Sequence, residues 1–276
     1  MTSRIRKAVF PVAGSGTRML PATRAIPKEM LTIVDKPLIQ YAVEEARDAG
    51  VEQFIFVTGK GKSAIEDHFD DAGLQELGLK PGQVSYTTQT QPLGLGHAIW
   101  CARYLVADEP FAIVLVDELL SSDRPCLKQM LENFAETPDN YLALMQVPRE
   151  QTHRYGIVKT TDANDARIAI QDMVEKPASE VAPSNWAIIG RYLLTPEVFS
   201  YLERQKPGAG NEIQLTDAMR AMLVEHRFQG IPFQGDRFDC GSKVGWLQAN
   251  MHMASLRDDL RDELGQSVPG RLVSGF

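Results

Sequence analysis

Cysteine is scarce in this chain of 276 residues, which contains only three. Cys101, Cys126 and Cys240 lie far apart, are odd in number and include no CxxC pair. This pattern excludes a disulfide framework, a zinc-finger site and an iron–sulfur cluster. It is typical of proteins from a reducing compartment, so we expect a cytoplasmic location.

Long hydrophobic runs and an excess of positive charge are also missing. No apolar run approaches the ~20 residues that span a bilayer, and the apolar segment 8–12 is too short for a signal peptide. The 29 Lys and Arg residues are outnumbered by 36 Asp and Glu residues, so the net charge is −7. General binding to nucleic acid or to an anionic membrane is therefore not expected. The composition, 43% hydrophobic and 24% charged, is that of a soluble globular enzyme.

Short apolar segments alternate with amphipathic ones through the first half of the chain. The apolar segments have strand length, are rich in β-branched or aromatic residues, and end at turn residues. This alternation predicts an α/β fold with a mostly parallel central sheet flanked by helices. The predicted strands are residues 7–12, 53–58, 84–89, 111–116 and 141–147, and the predicted helices are residues 37–48 and 125–136.

The second half is less regular and predicts a small β-rich region. Residues 157–161 and 168–175 have the pattern of two hairpin arms, joined by the polar residues 162–167. A strand at 186–194 and helices at 196–204, 216–225 and 243–261 follow. Because no internal repeat or long linker interrupts the chain, we expect one domain over residues 1–264 and a loose C-terminal tail at 265–276.

The strongest chemical signal is a glycine loop that follows the first predicted strand. Gly14 and Gly16 allow the backbone to approach a ligand closely with its N–H groups. Residues 13–28 contain Arg18, Arg24 and Lys28 and no carboxylate. In a chain of net charge −7, this local excess of cations predicts a polyphosphate-sized anion as the ligand.

Neither common nucleotide motif fits this chain. A dinucleotide fingerprint needs a third glycine where Met19 stands. A P-loop ending at Gly61-Lys62-Ser63 would need its first glycine at Phe56. We therefore interpret residues 59–63 as a strand-to-helix turn in which Ser63 caps the next helix.

The loop Gly14-x-Gly16-Thr17-Arg18-x-Leu20-Pro21, with Pro27-Lys28, resembles the signature of the sugar-nucleotide pyrophosphorylases. These enzymes have a Rossmann-like nucleotidyltransferase fold of the glycosyltransferase-A type. An ordered series of later segments narrows the resemblance to the bacterial UDP-glucose pyrophosphorylases, from about residue 7 to about residue 249. The segments are Leu93-Gly94-Leu95-Gly96-His97-Ala98, Tyr155-Gly156-Ile157-Val158, Val174-Glu175-Lys176-Pro177, Ala182-Pro183-Ser184-Asn185, residues 210–217 and Asp239-Cys240-Gly241.

The resemblance implies a reaction between UTP and glucose 1-phosphate that gives UDP-glucose and pyrophosphate, with Mg²⁺ as cofactor. Residues 1–147 would then be the nucleotide-binding half and residues 148–264 the sugar-binding half, in a homodimer or homotetramer. Two alternatives stay open: a glucose-1-phosphate thymidylyltransferase, and a non-catalytic paralogue that binds sugar nucleotides as a regulatory subunit. The chain departs from the family in a short segment after Asp70 and in a valine before Asp117, where proline is common.

The resemblance also implies roles for individual residues that handle phosphate and metal. Arg18 would bind the β- and γ-phosphates and stabilise the departing pyrophosphate, and Lys28 would neutralise the phosphates in the transition state. Asp117, which follows an apolar strand, would bind Mg²⁺. Asp239 is a candidate for the second metal ligand, although a turn before Gly241 would explain it equally well.

The resemblance further implies separate sets of residues for the nucleotide and for the sugar phosphate. On the nucleotide side the expected residues are Ala13, Gly14, Gly16, Thr17, Glu29, Gln89 and Gly94, with Glu29 and Gln89 at base-contacting positions and Gly94 leaving room for the ring. On the sugar-phosphate side they are Gly156, Glu175 and Lys176, although an ordinary exposed ion pair would also explain the Glu-Lys sequence. For His97, a capping or packing role is expected.

Overall fold

The computed structural model describes residues 4–136, 139–160 and 167–260 of the chain. Strands and helices alternate through the first half, as predicted. The strands are β1 (Lys7–Pro11), β2 (Thr32–Ile33), β3 (Lys36–Pro37), β4 (Gln53–Thr58), β5 (Val84–Thr88), β6 (Phe111–Val114), β7 (Glu118–Ser121), β8 (Asn140–Gln146), β9 (Gly156–Thr160), β10 (Ile168–Glu175), β11 (Trp186–Leu194), β12 (Phe228–Pro232) and β13 (Asp236–Asp239). The α-helices are α1 (Leu38–Asp48), α2 (Ser63–His68), α3 (Asp71–Glu76), α4 (Leu95–Cys101), α5 (Arg103–Val106), α6 (Cys126–Glu136), α7 (Val198–Arg204), α8 (Leu215–Met222) and α9 (Lys243–Ser255).

A central sheet of nine strands has the order β5–β4–β1–β6–β11–β8–β12–β10–β9. The first four of these strands are parallel, and β12 is parallel to β8. In contrast, β11 is antiparallel to β6 and β8, and β10 is antiparallel to β12 and β9. The α/β class is confirmed, but the sheet is mixed, with its parallel pairs concentrated in the first half. The sequence did not reveal this because β11, whose nine residues are all buried, inserts between two strands from earlier in the chain.

The parallel strands send alternate side chains to opposite faces of the sheet. Phe10, Phe54 and Phe56 lie in one core, in which the ring centroids of Phe10 and Phe56 are 5.1 Å apart. Val9 and Ile55, from the same strands, lie in the other core. Helix α1 packs its apolar side chains into the first core, and helices α4, α7 and α8 pack theirs into the second. Helices therefore cover both faces of the sheet, as predicted.

Strands β7 and β13 form a separate antiparallel ribbon, which the sequence analysis did not predict. Strand β6 ends at Val114, before the predicted end at residue 116, and the chain then turns into β7 at Glu118. In the ribbon Glu118 is paired with Asp239. The backbone N–H of Cys240 donates to the carbonyl of Asp117 at 2.8 Å, which joins the two chain segments at one end of the ribbon. Strands of four residues are too short to show the alternation that identifies a strand in a sequence.

The predicted hairpin arms are confirmed as β9 and β10, which pair antiparallel. Residues 161–166 between them and the predicted tail 265–276 lie outside the described residues. The last helix, predicted over residues 243–261, is shorter than expected: α9 ends at Ser255, and residues 256 and 257 interrupt the helix. The prediction that Ser63 caps a helix is wrong: Ser63 is the first residue of α2, and Lys62 occupies the cap position without a side-chain capping bond. The side chain of Lys62 is instead bonded to Glu29. None of the helices in the described ranges is long and apolar enough to cross a membrane.

Candidate active site

Two cavities open at the edge of the sheet where β1, β4, β5 and β6 end. The first, called here the loop cavity, has a volume of about 340 Å³ and includes Ala13, Gly59 and Gln89, which follow β1, β4 and β5. The second, the carboxylate cavity, has a volume of about 550 Å³ and includes Leu115 and Asp117, which follow β6. Ligands of open α/β sheets bind at the carboxyl ends of the strands, so this edge is the candidate active site.

The glycine loop folds around the side chain of Lys28. Gly16 adopts a left-handed φ of 65°, and a Cβ added there would lie 3.3 Å from Cβ of Lys28. A Cβ added to Gly14 would lie 3.9 Å from Nζ of Lys28. Gly14 lines the loop cavity, so the ammonium group of Lys28 lies close to the wall of that cavity. Thr17 is exposed on a short 3₁₀ helix and lines neither cavity.

The predicted cations and the predicted metal ligands lie together. Nζ of Lys28 lies 2.6 Å from Oδ2 of Asp117. The guanidinium of Arg18 lies 3.8 Å from Oδ2 of Asp117 and 3.9 Å from Oδ2 of Asp239. Burial alone would raise the pKa of Asp117, but the charges of Lys28 and Arg18 outweigh it and hold that pKa below its ordinary value. Asp117 is therefore an anion at neutral pH.

The space between Asp117 and Asp239 suits a small divalent cation. A Cβ added to Gly241 would lie 2.5 Å from Nη2 of Arg18, 2.9 Å from Oδ2 of Asp117 and 3.1 Å from Oδ1 of Asp239, so both carboxylates and the guanidinium border one small volume. Mg²⁺ is held by one or two carboxylates, with substrate phosphates and water completing its shell. The donor set therefore fits Mg²⁺. It does not extend to a third ligand, since the described residues contain no group of three His, Cys, Asp or Glu side chains that could hold a metal ion.

The residues predicted for the sugar phosphate meet at the carboxylate cavity. Nζ of Lys176 lies 3.0 Å from Oε1 of Glu175, and the hydroxyl of Thr216 donates to Oε2 of Glu175 at 2.7 Å. The Glu175 side chain is 12% exposed and that of Lys176 is 49% exposed. Lys176 also has a positive φ of 45°, which is uncommon for a residue other than glycine. Glu175 is largely shielded from water and both of its carboxylate oxygens have partners, and Lys176 has a positive φ. These features distinguish the pair from an ordinary surface ion pair.

Gln89 has the position expected of a base-contacting residue. It lines the loop cavity, and its Nε2 donates to the carbonyl of Gly94 and lies 3.0 Å from Nδ1 of His97. Burial lowers the pKa of His97, which keeps this ring neutral and able to accept the bond. Since Nε2 is used inside the protein, Oε1 is the atom of Gln89 left to face a ligand. His97 packs on Trp100, with ring centroids 6.0 Å apart, as its predicted packing role requires.

Gly94 and Glu29 lie differently from what a direct base contact would suggest. A Cβ on Gly94 would lie 2.7 Å from Cβ of Glu212 and 2.9 Å from the carbonyl of Ile213, so glycine is needed there for packing within the chain. Glu29 is 1% exposed and lines neither cavity. Its Oε2 is paired with Lys62, and its Oε1 has no hydrogen-bond partner among the described residues.

Several residues that line the two cavities were not expected from the sequence, among them Arg154, Tyr155, Lys62 and Thr216. Arg154 donates to Oδ2 of Asp239 at 2.5 Å, and Tyr155 lies beside it. Lys62 lines the loop cavity, although it belongs to the segment 59–63, which the sequence predicts to be a turn without a role in binding phosphate. Thr216 orients Glu175. A lysine in the turn after a buried parallel strand was a usable signal for Lys62, and the segments 155–158 and 210–217 already contained Tyr155 and Thr216. Arg154, in contrast, depends on a contact with Asp239, far along the chain.

Comparisons with known proteins agree in family and fold. A family model described as nucleotidyl transferase matches residues 7–255. A UTP–glucose-1-phosphate uridylyltransferase of Bacillus subtilis is 45% identical over 285 residues, covering 98% of each chain. A crystal structure of a UDP-glucose pyrophosphorylase complexed with UDP-glucose has a TM-score of 0.86 at 44% identity and covers 92% of this chain and 100% of that one. The UTP-bound UGPase of Acinetobacter baumannii has a TM-score of 0.85 at 38% identity, covering 95% and 98%.

Proposed function

The chain belongs to the UTP–glucose-1-phosphate uridylyltransferases of the nucleotidyl transferase family, and from this premise we propose that it transfers UMP from UTP to glucose 1-phosphate. The products are UDP-glucose and pyrophosphate. One observation carries the proposal. The cations Arg18 and Lys28 and the carboxylates Asp117 and Asp239 lie together: Lys28 is beside Gly14, which lines the loop cavity, and the other three line the carboxylate cavity. A nucleotide base and a sugar thus have separate cavities on either side of the charged groups that handle phosphate.

The reaction needs positioning and charge neutralisation more than proton transfer. A phosphate oxygen of glucose 1-phosphate forms a bond to the α-phosphorus of UTP, and the bond from that phosphorus to pyrophosphate breaks in line with it. Because the attacking oxygen is already ionised at pH 7, no general base is required. Lys28 neutralises charge at the reacting phosphates, and Arg18, whose side chain is 62% exposed, stabilises the departing pyrophosphate.

Asp117 and Asp239 are the residues that would hold Mg²⁺. When bound, the ion would screen the negative charge of the phosphates and favour departure of pyrophosphate. Lys28 is bonded to Asp117 and Arg154 to Asp239, so each of the two carboxylates has a cationic partner from the protein itself.

Base recognition combines backbone and amide groups of the loop cavity. Uracil lies against the backbone of Ala13 and Gly14, and Oε1 of Gln89 accepts the N3–H of the ring. Cytosine lacks that donor, so it is rejected, whereas thymine presents the same donor and is not distinguished by it. On the other side, Glu175 accepts from glucose hydroxyls and Lys176 binds the phosphate of glucose 1-phosphate.

The test is pyrophosphate release from glucose 1-phosphate and Mg²⁺, with UTP and dTTP compared under the same conditions. A preference for UTP supports the uridylyltransferase, and a preference for dTTP would make the protein a thymidylyltransferase with the same mechanism. Binding of UDP-glucose without turnover of either nucleotide would support the regulatory paralogue. The cytoplasmic location and the homodimer or homotetramer stay predictions, and light scattering of the same preparation measures the oligomeric state.

A further inference from the structure

Arg237 joins two parts of the carboxylate cavity through one guanidinium group. Its Nε and Nη2 donate to the two carboxylate oxygens of Glu118 at 2.6 and 2.7 Å. Its Nη1 donates to the phenol oxygen of Tyr155 at 3.1 Å, and the guanidinium carbon lies 4.7 Å from the centroid of the Tyr155 ring. Each of the three guanidinium nitrogens is therefore bonded to Glu118 or Tyr155.

At one end this network holds the carboxylates assigned to the metal. Glu118 follows Asp117 directly and is paired with Asp239 across the ribbon of β7 and β13. Arg237 lies on the same β13 strand, two residues before Asp239. The bidentate contact from Arg237 to Glu118 therefore ties the two strands of the ribbon beside the pair Asp117 and Asp239, and sets how far apart those two carboxylates lie.

At the other end the network reaches the sugar-phosphate side. Tyr155 lines the cavity and directly precedes Gly156. Its carbonyl accepts the backbone N–H of Lys176 at 2.9 Å. The phenol held by Arg237 thus belongs to the residue that fixes the backbone of Lys176, whose φ is positive. A shift of Tyr155 would displace both Gly156 and Lys176.

The bidentate contact between Arg237 and Glu118, called here the fork, has the geometry and the burial of a contact that holds neighbouring side chains in place. The side chains of Arg237 and Glu118 are 8% and 15% exposed, so their contacts are largely shielded from water. A bidentate fork fixes direction as well as distance, which a lysine ammonium would not do. Arg220 and Asp172 form a similar fork, at 2.6 and 2.9 Å, but with side chains 53% and 33% exposed and outside both cavities. This second pair provides a matched control.

We infer that Arg237 is a positioning residue that holds the metal carboxylates and the sugar-phosphate residues in one geometry, by linking Glu118 to Tyr155. The inference rests on the proposed function and extends it to a residue that touches neither substrate nor metal. It implies that the requirement for Mg²⁺ and the affinity for glucose 1-phosphate depend on one side chain. Removing only the Tyr155 hydroxyl affects the second of these properties and spares the first.

The test compares Arg237→Lys, Tyr155→Phe, the double variant and the control Arg220→Lys. Arg237→Lys is expected to raise both the KM for glucose 1-phosphate and the Mg²⁺ concentration for half-maximal activity by about tenfold, as for the loss of a hydrogen bond to a charged group. Tyr155→Phe is expected to raise that KM by about fivefold while leaving the Mg²⁺ requirement within about twofold. The KM for UTP should stay within about twofold in both variants, and Arg220→Lys should change none of these constants by more than that.

Two further readouts separate positioning from mere stability. Calorimetry of UDP-glucose binding in EDTA should show weaker binding by Arg237→Lys and Tyr155→Phe and unchanged binding by Arg220→Lys. In the double variant the KM for glucose 1-phosphate should match that of Arg237→Lys alone, because both changes break one link. Multiplied effects, or equal rises in both KM values, would overturn the inference.

If Arg237→Lys does not fold, Tyr155→Phe, which loses one hydroxyl, provides the decision. Failure of the wild-type protein to release pyrophosphate overturns the proposed function, whereas an active wild type with unchanged constants in both variants overturns this inference alone.

Discussion

Nζ of Lys62 lies 2.6 Å from Oε2 of Glu29, and the two side chains, 7% and 1% exposed, form a buried ion pair beside the loop cavity. The pair joins the turn after β4 to the end of the glycine loop, which also carries Lys28. It explains why a lysine stands in a segment that resembles a P-loop without being one. The ammonium of Lys62 binds a carboxylate of the protein, so it is not free to cradle phosphate.

Lys62→Met is expected to lower the free energy of unfolding by about 3–5 kcal/mol, because it leaves the charge of Glu29 buried without its partner. Lys36→Met is the control, since Nζ of Lys36 also lies 2.6 Å from a carboxylate, that of Glu44, but with both side chains more exposed. There the loss should stay below about 1 kcal/mol. Denaturation in guanidinium chloride measures both values. Equal losses in the two variants would contradict a special role for burial.

The burial of Glu29 also predicts a pH dependence of stability. Burial raises the pKa of Glu29, and the charges of Lys62 and Lys28 offset this only in part. A carboxyl group with a raised pKa in the folded state binds its proton more tightly there than in the unfolded chain. Its contribution to stability is therefore complete below the ordinary pKa of 4.5 and is lost as the pH rises through the folded value. The free energy of unfolding of the wild type minus that of Glu29→Gln should fall as the pH rises above 4.5. A difference that is constant or rises with pH would contradict this account.

Local patterns in the sequence were enough to predict the elements that position the site. Strands β1, β4, β5 and β6 are short apolar segments bounded by turn residues, and the glycine loop follows the first of them. The cations Arg18 and Lys28 and the carboxylate Asp117, all identified from the sequence, do lie together. These features depend on neighbours in the chain or on the fixed geometry of parallel strand ends. They can therefore be predicted from the sequence.

Contacts between distant parts of the chain were not predictable in the same way. The pairing of Glu118 with Arg237 joins residues more than a hundred positions apart, and neither residue stands in a recognisable pattern. The burial of Glu29 depends on Lys62, which reaches it from another loop. Similarly, the mixed direction of the sheet follows from the insertion of β11 between β6 and β8. Such features arise from tertiary packing, which a pattern of residue types does not specify.

Gly94→Ala is expected to destabilise the protein even without nucleotide. Gly94 has a φ of 100°, and a Cβ there would lie 2.7 Å from Cβ of Glu212 and 2.9 Å from the carbonyl of Ile213. We expect the free energy of unfolding to fall by about 2–4 kcal/mol, because backbone strain and overpacking act together. In Gly78→Ala, where φ is 66° and a Cβ would meet nothing within 4 Å, backbone strain alone acts. The free energy of unfolding should then fall by only about 1 kcal/mol. Thermal unfolding of both variants without ligand tests this. A stable Gly94→Ala protein that fails only to bind UTP would favour the simpler idea that Gly94 makes room for the base.

Lys176→Ala is expected to raise the KM for glucose 1-phosphate by roughly 10–100-fold while the KM for UTP changes by less than about threefold. A hydrogen bond to a charged group contributes about 1.5–3 kcal/mol, which corresponds to this range. Lys159→Ala, on the exposed side of β9, is the matched removal of a surface lysine and should leave both constants unchanged. Steady-state kinetics with each substrate varied in turn gives the values. Equal losses for UTP and glucose 1-phosphate would refute the assignment of Lys176 to the sugar phosphate.

Asp117→Asn tests the carboxylate on which the proposed chemistry depends most. The change keeps the size of the side chain but removes the charge that binds Lys28 at 2.6 Å and that would bind Mg²⁺. We expect Mg²⁺-dependent turnover to fall by about 10²–10³-fold, as for the loss of single electrostatic groups in other active sites. Asp236→Asn is the control, because Asp236 is exposed on the same ribbon, across from Ser121.

Pyrophosphate release over a range of Mg²⁺ concentrations measures both variants, and calorimetry with UTP in EDTA shows whether the nucleotide site is intact. A near wild-type rate in Asp117→Asn would mean that the ion is held elsewhere, and an equal loss in Asp236→Asn would point to damage of the ribbon.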